Sequence, residues 1–117
     1  MKTMRDFVKV MRALSDPNRI RIIKLLQEKE LCVCELTGLF SLSQPTISKH
    51  LRVLEEADLV TFRKQGNWVV YRPVEDSRMG HARAMLDYIG QSAIDDKALQ
   101  EMLQILPQVD RERIKVA

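Results

Sequence analysis

Residue types that mark enzymes, membrane proteins and disulfide-rich proteins are scarce in this chain. Its 117 residues include two cysteines and four glycines, and only 5% are aromatic. The glycines stand singly, which leaves no glycine-rich loop to hold a phosphate group, and no Ser/His/Asp arrangement is visible. No apolar run approaches the roughly 20 residues of a membrane-spanning helix. The amino terminus lacks the apolar segment of a signal peptide, so we expect a cytoplasmic protein that is not an enzyme.

The two cysteines, Cys32 and Cys34, are separated by one residue. A disulfide between them would be strained, because so small a ring opposes the preferred Cα separation and dihedral angle. Two functional roles then fit the pair. One is ligation of a soft metal or metalloid ion, which favours thiolate ligands, and the other is reversible oxidation. The alternative without a function is that both are small buried apolar residues, since free cysteine often packs in protein cores.

The composition is that of one folded domain with a mildly basic surface. Hydrophobic residues make up 45% of the chain, and lysine and arginine exceed aspartate and glutamate by 19 to 16, which gives a net charge of +3. This balance permits nucleic-acid binding without requiring it. Basic residues recur through the central stretch, whereas acidic residues become denser from Asp87 onwards.

Hydrophobic periodicity predicts a mainly α-helical fold with one β-hairpin. Capping residues support two boundaries: Asp16 precedes Pro17 at the start of the second helix, and Ser43 precedes Pro45 at the start of the fourth. We predict helices over residues 3–14, 17–28, 32–40, 44–57 and 77–90, and strands over 59–64 and 68–72. After Gly90 a further helical pattern follows, with Leu99, Met102, Leu103, Leu106 and Val109. The order is α-α-α-α-β-β-α plus a C-terminal helix, which is that of a winged helix-turn-helix. We assign residues 1–92 to this domain and residues 93–117 to a C-terminal helical extension of it.

The third and fourth predicted helices fit a helix-turn-helix, in which a support helix and a tight turn present a second helix to DNA. Ile47, Leu51 and Leu54 repeat at helical spacing and form the buried face of that second helix. Hydroxyl, amide and basic side chains occupy its other faces, where they suit base edges and phosphates. The candidate DNA-binding residues are Ser43, Gln44, Thr46, Ser48, Lys49, His50 and Arg52. For His50 the alternative is a hydrogen bond within the domain, and Ser43 is also explained as a helix cap.

The predicted hairpin carries a polar and basic tip over residues 63–67, between two apolar strands. A tip of this kind suits contact with the DNA backbone or the minor groove, and the alternative is a solvated turn. Its candidate DNA-binding residues are Arg63, Lys64, Gln65 and Asn67. A support helix, a second helix and a basic hairpin in this order favour DNA binding over a module that binds only other proteins.

Three segments resemble the ArsR/SmtB family of winged-helix repressors. They are Leu14-Ser15-Asp16-Pro17-Asn18-Arg19, Glu30-Leu31-Cys32-Val33-Cys34-Glu35-Leu36 and Ser43-Gln44-Pro45-Thr46-Ile47-Ser48-Lys49-His50-Leu51. The resemblance covers roughly residues 5–90. It implies a homodimer that joins through the first helix and the helix after the hairpin, occupies an operator in double-stranded DNA and leaves when an inducer binds. No further cofactor is implied.

Within this family, the box Cys32-Val33-Cys34 resembles the site of the arsenic- and antimony-responsive ArsR-type repressors. The resemblance implies that trivalent arsenic or antimony is the inducer and that both cysteines bind it. Some relatives carry a third cysteine at the position of Thr37, so a solvent oxygen or a small exogenous thiol would complete the coordination here. Zinc and cadmium sensing fit less well, because the further ligands of those sensors are absent. The alternatives are a repressor that responds to thiol oxidation or to another soft metal.

The cysteine spacing also predicts a mechanism. On a regular helix over residues 32–40, the two side chains would point about 200° apart and would not readily hold one ion. We therefore expect binding to unwind the first turn of this helix, which supports the DNA-reading helix through Leu36, Leu39 and Phe40.

Overall fold

The computed structural model describes residues 3–75 and 80–113. Within these ranges it contains six α-helices: α1 (Met4–Ala13), α2 (Pro17–Glu28), α3 (Val33–Phe40), α4 (Gln44–Glu56), α5 (Gly80–Gln91) and α6 (Lys97–Ile105). The described strands are β1 (Leu31–Cys32), β2 (Val60–Gln65) and β3 (Trp68–Pro73), and two 3-10 turns, Leu106–Gln108 and Arg111–Arg113, follow α6. No helix in the described part of the chain is long and apolar enough to cross a membrane.

The predicted fold class, a winged helix-turn-helix with a C-terminal helix, is confirmed. We call α4 the reader helix and the hairpin of β2 and β3 the wing. The helix predicted over residues 77–90 is observed from Gly80, and residues 77–79 lie outside the described ranges. The helical pattern predicted after Gly90 is observed as α6 from Lys97, where Asp96 accepts a hydrogen bond from the backbone N–H of Leu99 and caps the helix, and a 3-10 turn over Leu106–Gln108 follows it.

Side-chain caps fix where the other helices begin. The Asp16 carboxylate accepts from the backbone N–H groups of Asn18 and Arg19, and Pro17 fills the first position of α2, as predicted. Ser43 caps the reader helix by accepting from the backbone N–H of Thr46 at 3.3 Å. These caps satisfy amide donors that have no partner inside the helix.

One apolar core joins the helices to the wing. Ile47, Leu51 and Leu54 of the reader helix are fully buried, as the sequence predicts. They pack in the same cluster as Leu36 and Phe40 of α3. Because interior packing is dense, a shift of α3 is transmitted to the reader helix instead of being absorbed by empty space.

The sheet contains a strand that the sequence analysis did not predict. The strand order is β1-β3-β2, and β1 pairs antiparallel with β3, so that Leu31 lies opposite Tyr71 and Cys32 opposite Val70. The predicted helix over residues 32–40 is therefore wrong at its first residue. Cys32 has an extended backbone (φ −91°, ψ 170°) and precedes the first helical residue, Val33.

The C-terminal segment is attached by polar contacts to the second helix and to Lys29, the residue that follows it. The Arg21 guanidinium donates to both carboxylate oxygens of Asp96, at 2.8 and 3.0 Å. The Lys29 ammonium donates to the backbone carbonyl of Val109. Leu99 and Leu106 are buried in the common core, so the segment packs as part of the domain.

We predict that Asp96→Asn weakens the attachment of α6 and that its effect depends on pH. The Arg21 guanidinium and the capping bond from Leu99 lower the pKa of Asp96 to about 2. The contribution of ionised Asp96 to the stability of the fold is thus fully present at pH values above the ordinary pKa of an aspartate. It is lost as the pH falls through about 2. Urea unfolding should show a lower midpoint for the variant at pH 7 and a smaller difference from wild type near pH 2.

Asp95→Asn is the matched control, because Asp95 is an adjacent, exposed aspartate. Its midpoint should stay at the wild-type value at both pH values. Equal losses in the two aspartate variants would contradict the assignment of the effect to Asp96.

Candidate thiol site and nucleic-acid interface

The two cysteine sulfur atoms lie side by side at the junction of β1 and α3. The distance from the Sγ of Cys32 to the Sγ of Cys34 is 2.7 Å, and both cysteines are free thiols. Cys32 is 3% exposed, whereas Cys34 is partly exposed in the first turn of α3. The expectation that the side chains point about 200° apart is wrong, because Cys32 precedes the helix and does not follow its rotation.

A buried carboxylate holds this arrangement. Glu35 is 1% exposed, and its Oε1 accepts a hydrogen bond from the backbone N–H of Cys32 at 2.9 Å. The Nε of Arg111 lies 3.7 Å from the same oxygen. Neither residue was predicted from the sequence as part of the site. Glu35 is recognisable by its spacing, because an acidic residue three positions after a helix cap completes a capping box. Arg111, 76 positions away along the chain, has no such local signal.

The environment of Cys32 favours the neutral thiol. Burial is the largest cause and, together with the contact to Cys34, raises the pKa of the Cys32 thiol to about 12. The backbone N–H of Glu35 lowers the pKa of Cys32, and the negative charge of the Glu35 carboxylate raises it. Near neutral pH Cys32 is therefore protonated.

Other potential ligands are engaged elsewhere. The hydroxyl of Thr37, which stands where some relatives carry a third cysteine, donates to the carbonyl of Val33 at 2.8 Å. His50 contacts Arg19, and the ring of His81 packs against Phe7 with centroids 5.0 Å apart. Across residues 3–75 and 80–113, no cluster of three or more histidine, cysteine, aspartate or glutamate residues has the geometry of a metal site. The donor set that these ranges offer is thus two sulfurs.

The reader helix presents the predicted polar face to solvent. Gln44, Thr46, Lys49 and Arg52 are exposed, and Ser48 is partly exposed. The hydroxyl groups of Ser43 and Thr46 are 2.9 Å apart at the start of the helix. A tight turn delivers this helix to the surface, because Ser41 adopts a left-handed conformation (φ 54°) at the end of α3. The wing and this face form the candidate nucleic-acid interface.

His50 lies at the edge of that interface and makes an internal contact. Its Nδ1 lies 3.2 Å from an Nη atom of Arg19. Burial lowers the pKa of His50 below its ordinary value, so the ring is neutral near pH 7 and accepts from the guanidinium. This contact is the alternative that the sequence analysis gave for His50. Arg19 also donates to the backbone carbonyl of Ala13 at 2.7 Å and so ties α1 to the reader helix.

The wing tip is exposed, but its four candidate residues differ in their contacts. Lys64, Gln65 and Asn67 are solvent-exposed, around a turn in which Gly66 has a positive φ of 62°. Arg63 instead donates to the carboxylate of Glu30 at 2.7 Å. Of the two cations at the tip, Lys64 is therefore the one that forms no ion pair within the described residues.

The thiol pair lies between the two elements of the candidate nucleic-acid interface. Cys32 belongs to β1, which pairs with strand β3 of the wing. Cys34 belongs to α3, whose residues Leu36 and Phe40 pack with the buried face of the reader helix. Cys32 is therefore joined directly to the wing, and Cys34 lies on the helix that packs against the reader helix.

A support helix, a reader helix and a basic wing define a winged helix-turn-helix protein of the DNA-binding class, and sequence comparison shows its family. Residues 16–61 match the family described as "Bacterial regulatory protein, arsR family". The chain is 42% identical over 83 residues to an arsenical resistance operon repressor of Staphylococcus xylosus, spanning 71% of this chain and 72% of that protein. The chain belongs to the arsR family of transcriptional regulators.

Two further similarities bear on function. The structure "Crystal structure of Possible transcriptional regulator for arsenical resistance" is 33% identical, with a TM-score of 0.57, and the match covers 87% of this chain and 97% of that one. A cadmium resistance regulatory protein CadC homolog of Staphylococcus aureus is 42% identical over 67 residues, or 56% of this chain and 55% of that protein. The relatives are transcriptional regulators, and those at similar identity differ in the ion after which they are named.

We predict that Glu35→Ala destabilises the protein by about 1.5–3 kcal/mol, the usual loss for a buried hydrogen bond to a charged group. It removes the acceptor for the Cys32 amide and leaves Arg111 without its carboxylate. Guanidinium unfolding measures the change, and Glu35→Gln should lose less because its amide oxygen still accepts. Glu112→Ala, which removes an exposed acidic residue beside Arg111, is the control and should stay within error of wild type. A loss as large as that of Glu35→Ala would refute the role given to Glu35.

Proposed function

We propose that this protein is a repressor that binds operator DNA as a homodimer and dissociates when trivalent arsenic or antimony binds Cys32 and Cys34. The observation that carries the proposal is the 2.7 Å approach of the two sulfur atoms at the junction between the wing and α3. A soft ion that bridges them acts on both DNA-facing elements at once. Family membership supplies the DNA-binding half of the proposal.

Operator recognition rests on the exposed face of the reader helix. Gln44 has the paired amide donor and acceptor that suit adenine, and Ser48 and Thr46 have hydroxyls short enough for close approach to base edges. Lys49 and Arg52 supply positive charge for the flanking phosphates. The wing contributes Lys64, Gln65 and Asn67 at its exposed tip. Arg63 and His50 already have protein partners, so their DNA contacts require those partners to be exchanged.

The homodimer is supported by apolar side chains exposed on α1 and α5. Met4 is 76% exposed, Phe7 41% and Tyr88 67%. Phe7 of α1 packs against His81 of α5, which brings the two helices together on one side of the domain. Exposed apolar patches of this kind mark protein contacts in soluble proteins. A second copy of the chain, with the same patch, covers it symmetrically.

The thiol pair fits a metalloid inducer. Two sulfurs that already face each other form a soft donor set, and soft ions prefer sulfur to oxygen. When bound, a trivalent metalloid supplies bonds to sulfur of set length and angle. Cys32 and Cys34 are then held at one separation, and a small thiol or solvent oxygen provides the remaining contact, because the Thr37 hydroxyl is bonded to Val33.

Release of DNA follows from how the two cysteines are anchored. The backbone of Cys32 is paired with Val70 in the sheet, so adjustment to the bound ion falls on the first turn of α3 and on its Glu35 cap. That turn leads to Leu36 and Phe40, which support the reader helix. The two half-sites of a dimer must match a DNA spacing of about 34–36 Å, so a small tilt in each protomer weakens binding.

The direct test is operator binding by Cys32→Ser and Cys34→Ser with and without arsenite. For wild type we expect arsenite to weaken operator binding by about 5- to 150-fold, the common range of allosteric coupling. Each variant should bind the operator normally and should not respond, because one oxygen replaces one sulfur of the pair. Fluorescence anisotropy with labelled operator measures both effects. Release of either variant by arsenite at the wild-type concentration would show that the pair is not the sensor.

The structure also favours a metalloid over a divalent cation. To bind, a divalent cation must displace the proton of the Cys32 thiol, whose pKa is raised to about 12. Arsenous acid reacts differently, because one of its hydroxide groups combines with the thiol proton and leaves as water. We predict that the apparent affinity for cadmium rises by at least about tenfold per pH unit between pH 6 and 8, because the Cys32 proton alone contributes that much, while the affinity for arsenite stays nearly constant. Isothermal titration calorimetry measures both. A pH-independent affinity for cadmium, or an equally steep dependence for arsenite, would contradict this account.

A repressor that responds to oxidation is the second candidate, since both thiols are free and in contact, so a sulfenic acid formed on one by peroxide lies next to the other thiol even though a disulfide between them would be strained. Oxidation proceeds through thiolate, however, and the raised pKa of Cys32 opposes thiolate formation. Peroxide that released the operator under conditions in which arsenite did not would favour this candidate.

A further inference from the structure

A basic groove lies between α1 and the reader helix, away from the thiol pair. It has a volume of about 550 Å³ and is lined by Arg5, Val8, Lys9, Arg12, Ala13, Arg19, Val53 and Glu56. Four of these residues are cations and one is an acid. We call this feature the basic groove.

The cations that α1 contributes to the groove lack acidic partners in the described part of the chain. Arg5, Lys9 and Arg12 are exposed, and none of them forms an ion pair with any residue of the ranges 3–75 and 80–113. Their spacing of four and three positions places them on one face of the helix, where like charges destabilise it. No ion pair within these ranges offsets the repulsion along this row, as expected of a surface that binds an anionic partner.

The row is too long for a single small anion. From residue 5 to residue 12 a helix advances about 10 Å, at 1.5 Å per residue. A duplex carries one phosphate charge per about 1.7 Å of its axis and presents a line of charges over such a distance. An extended polyanion thus matches all three cations, whereas one phosphate group does not.

The basic groove is continuous with the candidate nucleic-acid interface. Val53 and Glu56, which line one of its walls, belong to the reader helix, as do the exposed cations Lys49 and Arg52. Arg19 lines the groove and bonds to His50 of the reader helix. The dimer contact proposed above uses a different face of α1, because Met4 and Phe7 lie about a quarter turn or more from Arg5, Lys9 and Arg12 at 100° per residue. A dimer that joins through Met4 and Phe7 leaves the basic groove open.

We infer that the basic groove binds the phosphate backbone of the DNA next to the site occupied by the reader helix. This inference rests on the proposed operator binding and extends the DNA-contacting surface to α1. The groove has no amide or hydroxyl side chain suited to base edges, so its contribution is affinity without sequence preference.

The test compares Lys9→Gln with Lys97→Gln. Lys9 lines the groove, and Lys97 is an exposed lysine at the start of α6, away from it, so the two substitutions remove the same charge. Operator affinity is measured by anisotropy over a series of salt concentrations, with a duplex selected in vitro for binding to wild type. For Lys9→Gln the slope of log affinity against log salt should fall by about 0.9 for each phosphate that is no longer neutralised, or about 1.8 for a dimer. The substitution should weaken binding to operator and to non-operator duplexes by the same factor.

The outcomes separate this inference from the proposed function. Arg5→Gln should repeat the result of Lys9→Gln, Lys97→Gln should keep the wild-type slope, and thermal unfolding checks that all variants are folded. If Lys9→Gln and Arg5→Gln keep the wild-type slope while Lys49→Gln reduces it, the basic groove does not bind DNA and the operator-binding surface stands. If wild type binds no selected duplex, both proposals are wrong.

Discussion

The structure depends on how the backbone leaves β1 and enters α3 at Cys32. One residue completes the pairing with strand β3 of the wing, opposite Val70, and also precedes the first helical residue of α3. The Glu35 carboxylate fixes this junction by accepting from the Cys32 amide. Because the chain turns there, Cys34 in the first helical turn meets the Cys32 sulfur instead of pointing away from it. The junction therefore sets the geometry of the thiol pair and connects it to both DNA-facing elements.

Much of the fold could be predicted from the sequence because its signals are local. The caps at Asp16 and Ser43, each followed within two residues by proline, mark helix starts, and the spacing of Ile47, Leu51 and Leu54 marks a buried face. The strand β1 was missed because two residues carry no periodicity, and its formation depends on β3, about 40 positions later. That single omission gave the wrong direction for the Cys32 side chain, while the first turn of α3 remains the part proposed to adjust to the ion.

The candidate site shows the same division between local and long-range signals. The exposed residues of the reader helix follow from helical spacing alone. The bond from Arg63 to Glu30 and the contact between His50 and Arg19 join residues more than 30 positions apart, so the sequence did not reveal them. These contacts divide the predicted interface into residues whose side chains are available to bind DNA and residues whose side chains already bond to another residue of the protein. No local sequence motif marks the row of cations on α1, which lines the basic groove beside the reader helix.

We propose that a ligand on the two sulfurs acts, through the Cys32 junction, on strand β3 of the wing and on α3, which supports the reader helix. Amide hydrogen exchange of the operator-free protein, with and without arsenite, tests it most directly. We expect changed protection in two segments: residues 31–40, which contain β1 and α3, and residues 68–73, which form β3. Unchanged exchange in both segments, under conditions in which arsenite releases the operator, would contradict the claim.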